Sequence, residues 1–544
     1  MLSRKLNVTL LSTLMKKHGI SDVVVCPGSR HITFVNNMAS DPFFKLYSVI
    51  DERAAAFFAI GLSLQSGRPA AVTCTQGSAI LVMHTAVSEA HYQKVPLLLI
   101  STDMHKGYIE QMDGLTTDQH NLFKKLAKME VELPLVDDNR DPDLTWQCTN
   151  MINQALAMVK SRPWGPVHIN IPISEGIDDF RAPEPQVIPY ERGCFKRALE
   201  IINHRKKRVL YIGQRTTKLN LDPELVKKLE ERYIIYNEHL SNINGFTLGA
   251  SLDLMLLNPD NYKMAFPDVV VSFGQHMVNP KVKDMLRKSD CVHIQINDRD
   301  EFNDTFKHLK LLVFSEEPGL EVLKKLAEAE PMDQDYKNAI FEKCKGIRDH
   351  DFPYCEMAVI KKVLHSVRDD EYVHVSNSSP AKYAEYFTMP STATYLCNRG
   401  INGIDGSMST FMGYAQHAKT NNYMITGDLS FFYDVNGFWH NYIPDNAKII
   451  LINNHGGEIF RPFPNFDKLD EQTKYLILSK HSANAKHVCE TYGMEHYEAH
   501  DQQSFDSAWQ AFKDSKKAAV LECFTEIDHD IEELNKYFAE IRSR

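Results

Sequence analysis

What this chain lacks narrows its function before any motif does. Cysteine is scarce, ten in 544 residues, and no Cys-x-x-Cys spacing occurs, so neither a disulfide framework nor a zinc site is indicated. Cys26, Cys74, Cys291, Cys397 and Cys523 fall in or beside apolar runs, where cysteine behaves as a small hydrophobe. No long basic run occurs, and a net charge of −10 with a pI near 6.2 leaves no electrostatic footprint for nucleic acid. No apolar run approaches the length of a membrane span. Residues 1–5 lead into an amphipathic helical pattern rather than a signal peptide, so the expected location is the cytoplasm, with no membrane partner. Short repeats and low-complexity tracts are absent too.

What is present is an ordinary globular composition, 43% hydrophobic and 24% charged, enough for each domain to bury a full core. A chain of this length suggests about three domains. Continuous apolar runs alternate with helical stretches, the mark of a parallel sheet covered on both faces. The first block, 1–180, carries such runs at 22–26, 46–50, 70–74, 96–100 and 166–170. A linker at Arg181-Ala182-Pro183-Glu184-Pro185 leads to a second block, 195–345, with runs at 208–212, 268–272 and 291–295. The charged stretch from about 324 to 351 reads as helix and second linker. The third block, 354–544, has runs at 372–376, 394–397, 422–426, 448–452 and 519–523. The expected fold is α/β, with three doubly wound domains and mainly parallel sheets.

Two polar clusters in the third block stand at the carboxyl ends of expected strands. Gly427-Asp428-Leu429-Ser430 follows one, and Asn453-Asn454-His455-Gly456-Gly457 follows the next. That edge of an open parallel sheet is where ligands bind, and a hard cation wants carboxylate, amide and main-chain oxygens. Asp428, the Asn454 side chain and the Gly456 carbonyl would supply three ligands. A lone Gly-Asp pair at a strand end is usually a turn; two such ends in one βαβ unit resemble the thiamine diphosphate motif of the decarboxylase and acetohydroxyacid-synthase superfamily. The resemblance implies thiamine diphosphate with Mg²⁺ or Mn²⁺. It assigns Gly427, Asp428, Leu429, Ser430, Asn454, Gly456 and Gly457 to the cofactor, and Asp428, Asn454 and Gly456 to the metal.

Asp51-Glu52-Arg53 opens a helical stretch, where an acid is stabilised by the helix dipole in any protein. In the resembled superfamily a glutamate at this place sits against the aminopyrimidine and helps form the ylid. With Cys26-Pro27-Gly28-Ser29-Arg30, Cys74-Thr75-Gln76-Gly77-Ser78-Ala79 and Asn398-Arg399-Gly400-Ile401-Asn402-Gly403-Ile404-Asp405-Gly406, the resemblance sharpens. Over nearly its whole length the chain resembles the MenD family, the 2-succinyl-5-enolpyruvyl-6-hydroxy-3-cyclohexene-1-carboxylate synthases of menaquinone biosynthesis. The family decarboxylates 2-oxoglutarate on thiamine diphosphate and adds the succinyl unit to isochorismate. Such a resemblance implies an aminopyrimidine-binding first domain, a middle domain without a cofactor and a diphosphate-binding third domain, in a homodimer or homotetramer. It gives Glu52 and Ile404 catalytic roles, with Ile404 holding the cofactor bent. Gly77 falls to the cofactor, Ser378, Lys382 and Arg399 to the donor, and Ser29 and Arg30 to the acceptor.

The family pattern fails in places. Where the family has Asp-Arg-Pro after the fourth strand, this chain has Asp103-Met104-His105. A family glutamine corresponds to Leu115, a Lys-Arg pair to Pro280-Lys281, and a donor-side arginine to Lys382. Arginine grips a carboxylate with a rigid fork, lysine offers a flexible point charge, and methionine and leucine offer neither. These losses lead us to expect a thiamine-dependent carboligase using a 2-oxo acid and an unidentified, altered acceptor. Two alternatives stay open. One is a menaquinone-pathway synthase in which His105, Lys106 and Lys281 replace the lost charges; the other is a thiamine-binding scaffold that no longer reacts, against which Glu52, Asp428 and Asn454 stand. The middle block lacks a Gly-x-G-x-x-Gly run, and Phe273-Gly274-Gln275 is too short a signal for a flavin or dinucleotide.

Overall fold

The computed structural model describes residues 2–109, 117–177, 180–299, 301–316, 318–390, 392–463 and 465–544. Among these residues eighteen strands form three six-stranded sheets flanked by helices. The first contains β1 (Asp22–Val25), β2 (Lys45–Ser48), β3 (Ala70–Cys74), β4 (Leu97–Asp103), β5 (Met129–Glu132) and β6 (Val167–Pro172), in the order β2-β1-β3-β4-β6-β5. Every pairing in it is parallel. Alternate residues enter separate cores, as the two-residue period of a strand requires. Val23, Ala71 and Leu98 face one core, whereas Val24, Val72, Leu97 and Leu99 face the other. Both faces are therefore covered, which is why the strands read as unbroken apolar runs.

The second sheet holds β7 (Glu191–Gly193), β8 (Arg208–Ile212), β9 (Ile234–Asn237), β10 (Val269–Phe273), β11 (Val292–Asn297) and β12 (Leu309–Phe314), ordered β7-β12-β11-β10-β8-β9. The third holds β13 (Tyr372–Val375), β14 (Thr394–Leu396), β15 (Asn422–Gly427), β16 (Ala447–Asn453), β17 (Glu495–Ala499) and β18 (Ala519–Phe524), ordered β14-β13-β15-β16-β18-β17 and parallel throughout.

The first and third sheets reverse their winding between β1 and β3 and between β13 and β15. At such a switch point the loops leave in opposite directions and open a crevice at the strands' carboxyl ends. In the middle sheet the equivalent point, between β8 and β10, is closed by main chain. A Cβ on Gly213 would lie 2.1 Å from Gln275 O, and one on Gly274 2.6 Å from Gly213 O.

One local expectation is corrected. The helix Leu6–His18 is not amphipathic but buried nearly all round, with ten of its 13 residues enclosed. Several of its polar residues are satisfied inside, Asn7 Nδ2 donating to Pro172 O at 2.6 Å and Thr9 Oγ1 to Ser3 O at 2.7 Å, whereas the Thr13 hydroxyl has no hydrogen-bond partner among the described residues. The chain forms two compact units, Met1–Gly193 with Phe302–Leu312, and Cys194–Glu301 with Val313–Arg544. Among the described residues no helix is long and apolar enough to cross a membrane.

Candidate active site

The switch point of the third sheet carries a cleft. Ser378, Ile404, Gly427, Asp428, Leu429, Ser430, Asn454, Gly456 and Gly457 line it, so nine residues singled out from the sequence converge from four separate segments. Gly427 ends β15 and Asp428 begins the helix Asp428–Tyr433; Asn454 follows the last residue of β16. Asp428 is 2% exposed. Its Oδ1 accepts from Leu429 N at 2.6 Å and its Oδ2 from Gly456 N at 2.9 Å, which ties the two polar clusters together. Among the described residues its ion partner is His481, with Nε2 3.1 Å from Oδ2. Hydrogen bonding to Asp428 raises the His481 pKa against the opposing effect of burial.

A buried carboxylate with no lysine or arginine on it, beside an asparagine amide and a glycine carbonyl, suits a hard divalent cation. A Cβ on Gly427 would meet nothing within 4 Å, so the cleft floor is bare backbone there, with space for a diphosphate. At Gly456 a Cβ would lie 2.7 Å from Leu478 O; that glycine is needed for close packing. On these grounds Asp428, Asn454 and the Gly456 carbonyl could hold a metal, and the glycines around them a diphosphate.

Behind Asn454 lies a group that sequence reading missed. Glu356 and Glu458 line the cleft, and with Asp530 they bring three buried carboxylates within 4.8 Å of one another. Burial, then mutual repulsion, raises the pKa of Glu356 and Glu458, and burial raises that of Asp530. Glu458 accepts from Tyr383 Oη at 2.7 Å and from Asn454 Nδ2 at 2.8 Å. The Asn454 amide nitrogen is thereby committed, and its oxygen is turned away from that carboxylate. These acids lie far apart in sequence at no motif spacing; only the Glu directly after Gly457 offered a signal.

Arg399, which bonds the cleft-lining Asn377, is nearly buried, 9% exposed. Its Nη1 donates to Asn377 Oδ1 at 2.8 Å and its Nη2 to Met277 O at 3.0 Å, while Nε has no hydrogen-bond partner. Both acceptors are neutral, so its charge is uncompensated among the described residues. Lys382, half-buried on the helix Ser379–Ala384, has its pKa lowered by burial; Asp253 pulls it up and Lys281 pushes it down. Ser378 sits at φ 85°, ψ −141°, a left-handed conformation costly for a residue with a side chain. Ser430 Oγ donates to Ile404 O at 2.8 Å and fixes the half-buried Ile404 at the rim.

In the first unit, Asp51 caps the helix Glu52–Ser66 through Ala54 N at 3.1 Å, so Glu52 is the first helical residue. It is half-buried. Gly77, at φ 77°, precedes the short helix Ser78–Leu81. A Cβ on Gly28 would lie 2.7 Å from Thr75 Cβ, so the loops after β1 and β3 touch. Burial pushes the Cys26 thiol up to about 12 and the Cys74 thiol well above its usual value, with Glu52 adding to both. Three motif segments therefore meet at the switch point of the first sheet. Ser29 is exposed; Arg30 is half-buried and loosely held, with Nη1 3.4 Å from Ile173 O and Nη2 3.6 Å from Glu175 Oε1. Lys106 is engaged with Glu132 at 2.9 Å, and Leu115 lies outside the described residues.

Residues 8–128 match the family described as thiamine pyrophosphate enzyme, N-terminal TPP binding domain. Among curated relatives, a 2-succinyl-5-enolpyruvyl-6-hydroxy-3-cyclohexene-1-carboxylate synthase of Phocaeicola vulgatus is 36% identical across the full length of both chains. Synthases of the same name from Bacteroides fragilis and Flavobacterium johnsoniae are 34% identical over the full length of both and 32% identical over 96% of each. The expectation of an altered acceptor finds no support here, because relatives that align end to end carry the synthase name. The chain is a thiamine diphosphate-dependent enzyme that uses a divalent metal ion, and its end-to-end likeness to these proteins makes it a member of the 2-succinyl-5-enolpyruvyl-6-hydroxy-3-cyclohexene-1-carboxylate synthase family.

Proposed function

We propose that this chain decarboxylates 2-oxoglutarate and joins the resulting four-carbon unit to isochorismate. The observation that carries the donor half is the uncompensated guanidinium of Arg399, bonded to Asn377 in the cleft wall next to Ser378. A buried cation held by neutral acceptors favours an anionic partner, and the distal carboxylate of a dicarboxylic 2-oxo acid is such a group. The name shared by the full-length relatives supports isochorismate as acceptor over a changed one.

Each residue has a task in this reading. Asp428, Asn454 and the Gly456 carbonyl hold the metal; Gly427, Leu429, Ser430 and Gly457 shape the diphosphate seat. Bound thiamine diphosphate supplies the electron sink for decarboxylation and carbon–carbon bond formation. Glu52 exchanges a proton with the aminopyrimidine, Gly77 lets the chain turn beside it, and Ile404 gives it an apolar support. Ser29 and Arg30 meet the acceptor's carboxylates, and the loose hold on Arg30 leaves its fork free to turn toward them. The domains run 1–180, 195–345 and 354–544, and the active unit is at least a dimer, the first domain of one copy serving the third domain of its partner.

The test compares 2-oxoglutarate with 2-oxopentanoate, which has the same chain length without the distal carboxylate. A charge-assisted contact with a buried partner is worth about 2–5 kcal/mol, so kcat/KM should favour 2-oxoglutarate by about 30-fold or more. Arg399→Ala should erase most of that preference. Equal use of both acids by the unaltered enzyme would remove the donor assignment.

A further inference from the structure

The donor side of the cleft hangs on one buried amide. Asn377 is 2% exposed and uses its whole hydrogen-bonding capacity. Its Nδ2 donates to Asn398 O and to Gly403 O, each at 2.7 Å. Its Oδ1 accepts from Arg399 Nη1 at 2.8 Å and from Cys397 Sγ at 3.4 Å. Chemistry alone sets which way this amide faces, since two carbonyls require donors and a guanidinium requires an acceptor.

These four bonds reach two elements of the proposed chemistry at once. Arg399 keeps only Met277 O when Asn377 is removed, and a guanidinium on one neutral acceptor is free to swing. Ile404 is bracketed by hydrogen bonds on consecutive carbonyls, Gly403 O held by Asn377 and its own by Ser430 at 2.8 Å. Asn377 also immediately precedes Ser378, whose left-handed backbone persists only where its surroundings over-determine it.

We propose that Asn377 is a positioning residue: it aims Arg399 at the donor and holds the Ile404 loop against the cofactor, so that donor recognition and cofactor seating share one anchor. This rests on the reading of Arg399 and Ile404 given above. Asn377 lies in the cleft wall, but its amide atoms are all committed to other protein groups, so in the proposal it acts through those two residues.

The experiment uses the holoenzyme reconstituted with thiamine diphosphate and Mg²⁺, with Asn377→Ala, Arg399→Ala and the double variant. Two quantities are read: the ratio of kcat/KM for 2-oxoglutarate over 2-oxopentanoate, and the Kd of the cofactor in excess Mg²⁺. Asn377→Ala should lower the ratio at least about tenfold, the cost of one charge-assisted bond, and should lower it no further when residue 399 is already alanine. It should also weaken cofactor binding, about tenfold or more as outer-shell supports do, in both backgrounds. Asn377→Asp keeps the acceptor for Arg399 and the side-chain volume but loses both donors. It also places a negative charge on Arg399, so it should lower the ratio as the alanine variant does while weakening the cofactor, and it serves if the alanine variant does not fold. A ratio that Arg399→Ala lowers but Asn377→Ala does not would overturn the Asn377 proposal alone. So would an equal drop in the Arg399→Ala background, or cofactor binding unmoved by both Asn377 variants. A ratio unmoved by Arg399→Ala would overturn the donor reading, and this inference with it.

Discussion

Two residues in the second unit are held in states their chemistry disfavours. Ser378 occupies a backbone region that only glycine enters freely, at a cost of about 1–3 kcal/mol, offset in part by the entropy a glycine would lose on folding, about 0.5–1 kcal/mol. Ser378→Gly should leave the fold about 1 kcal/mol more stable while lowering turnover of 2-oxoglutarate, read by thermal unfolding and kcat/KM together; a fall in both would mean the strain is not real. Asp253 is the second. Burial raises its pKa to about 7, against bonds from the main chain of Val282 and Lys281 and the charge of Lys281 and Lys382. An unfolded aspartate ionises near 4. Between those values the unfolded chain has released the proton and the folded chain keeps it, so stability falls as pH rises, by up to about 1.4 kcal/mol per unit, and levels off above 7. Asp253→Asn removes this dependence: the Tm difference, variant minus parent, should grow from about pH 5 to about pH 7 and then stay constant. A difference independent of pH would contradict the assignment. The placing of Glu52, Asp428 and Asn454 just after strands was legible from sequence because each lies in a short motif at a strand end, while the roles given them remain proposals. Asn377, Glu356, Glu458 and Asp530 were not, because their roles come from contacts between segments that no local spacing encodes.

At the scale of elements, the winding reversals of the first and third sheets account for where the motifs sit. Residues 26–30, 52 and 75–77 follow β1, β2 and β3; residues 378, 428 and 454 follow β13, β15 and β16. Strands buried on both faces were readable from sequence to within a residue or two, β1, β3, β8, β10, β15, β16 and β18 among them. Of the edge strands, β2 and β14 were readable but β5 and β17 were not: β5 reads Met-Glu-Val-Glu and β17 Glu-His-Tyr-Glu-Ala, half-covered patterns in which charge masks the strand. β12, though apolar, was passed over because it follows a polar stretch with no clear turn signal. The pairing of family positions through loops was the weakest step, since a residue's place in a string does not say which way it faces. The two metal-side segments yield a prediction of their own. Asp428 and Asn454 cannot neutralise a diphosphate by themselves, so calorimetry should detect tight thiamine diphosphate binding with Mg²⁺ and little with chelator. Equal binding in chelator would remove the metal from the account.

For the molecule as a whole, the two proposed halves of the chemistry lie in different compact units, Glu52 in the first and Asp428 in the second. In the proposed two-fold assembly each site draws on two copies. Glu52→Gln should keep cofactor binding and lose about 10²–10⁴ in rate, and Asp428→Ala should lose the metal. Mixing the two inactive proteins under conditions of subunit exchange should restore part of the activity, and a fully active monomer in sedimentation would exclude the assembly. The most direct test of the central claim is product analysis with the unmodified holoenzyme, supplied with Mg²⁺, 2-oxoglutarate and isochorismate. The account predicts conversion of both substrates into one adduct that has lost CO₂, at a rate within the ordinary enzymatic range of about 1–10³ s⁻¹. Decarboxylation of 2-oxoglutarate at such a rate with isochorismate left unchanged would contradict it, and would return the acceptor to the altered one that the departures at residues 104, 115 and 280–281 suggested.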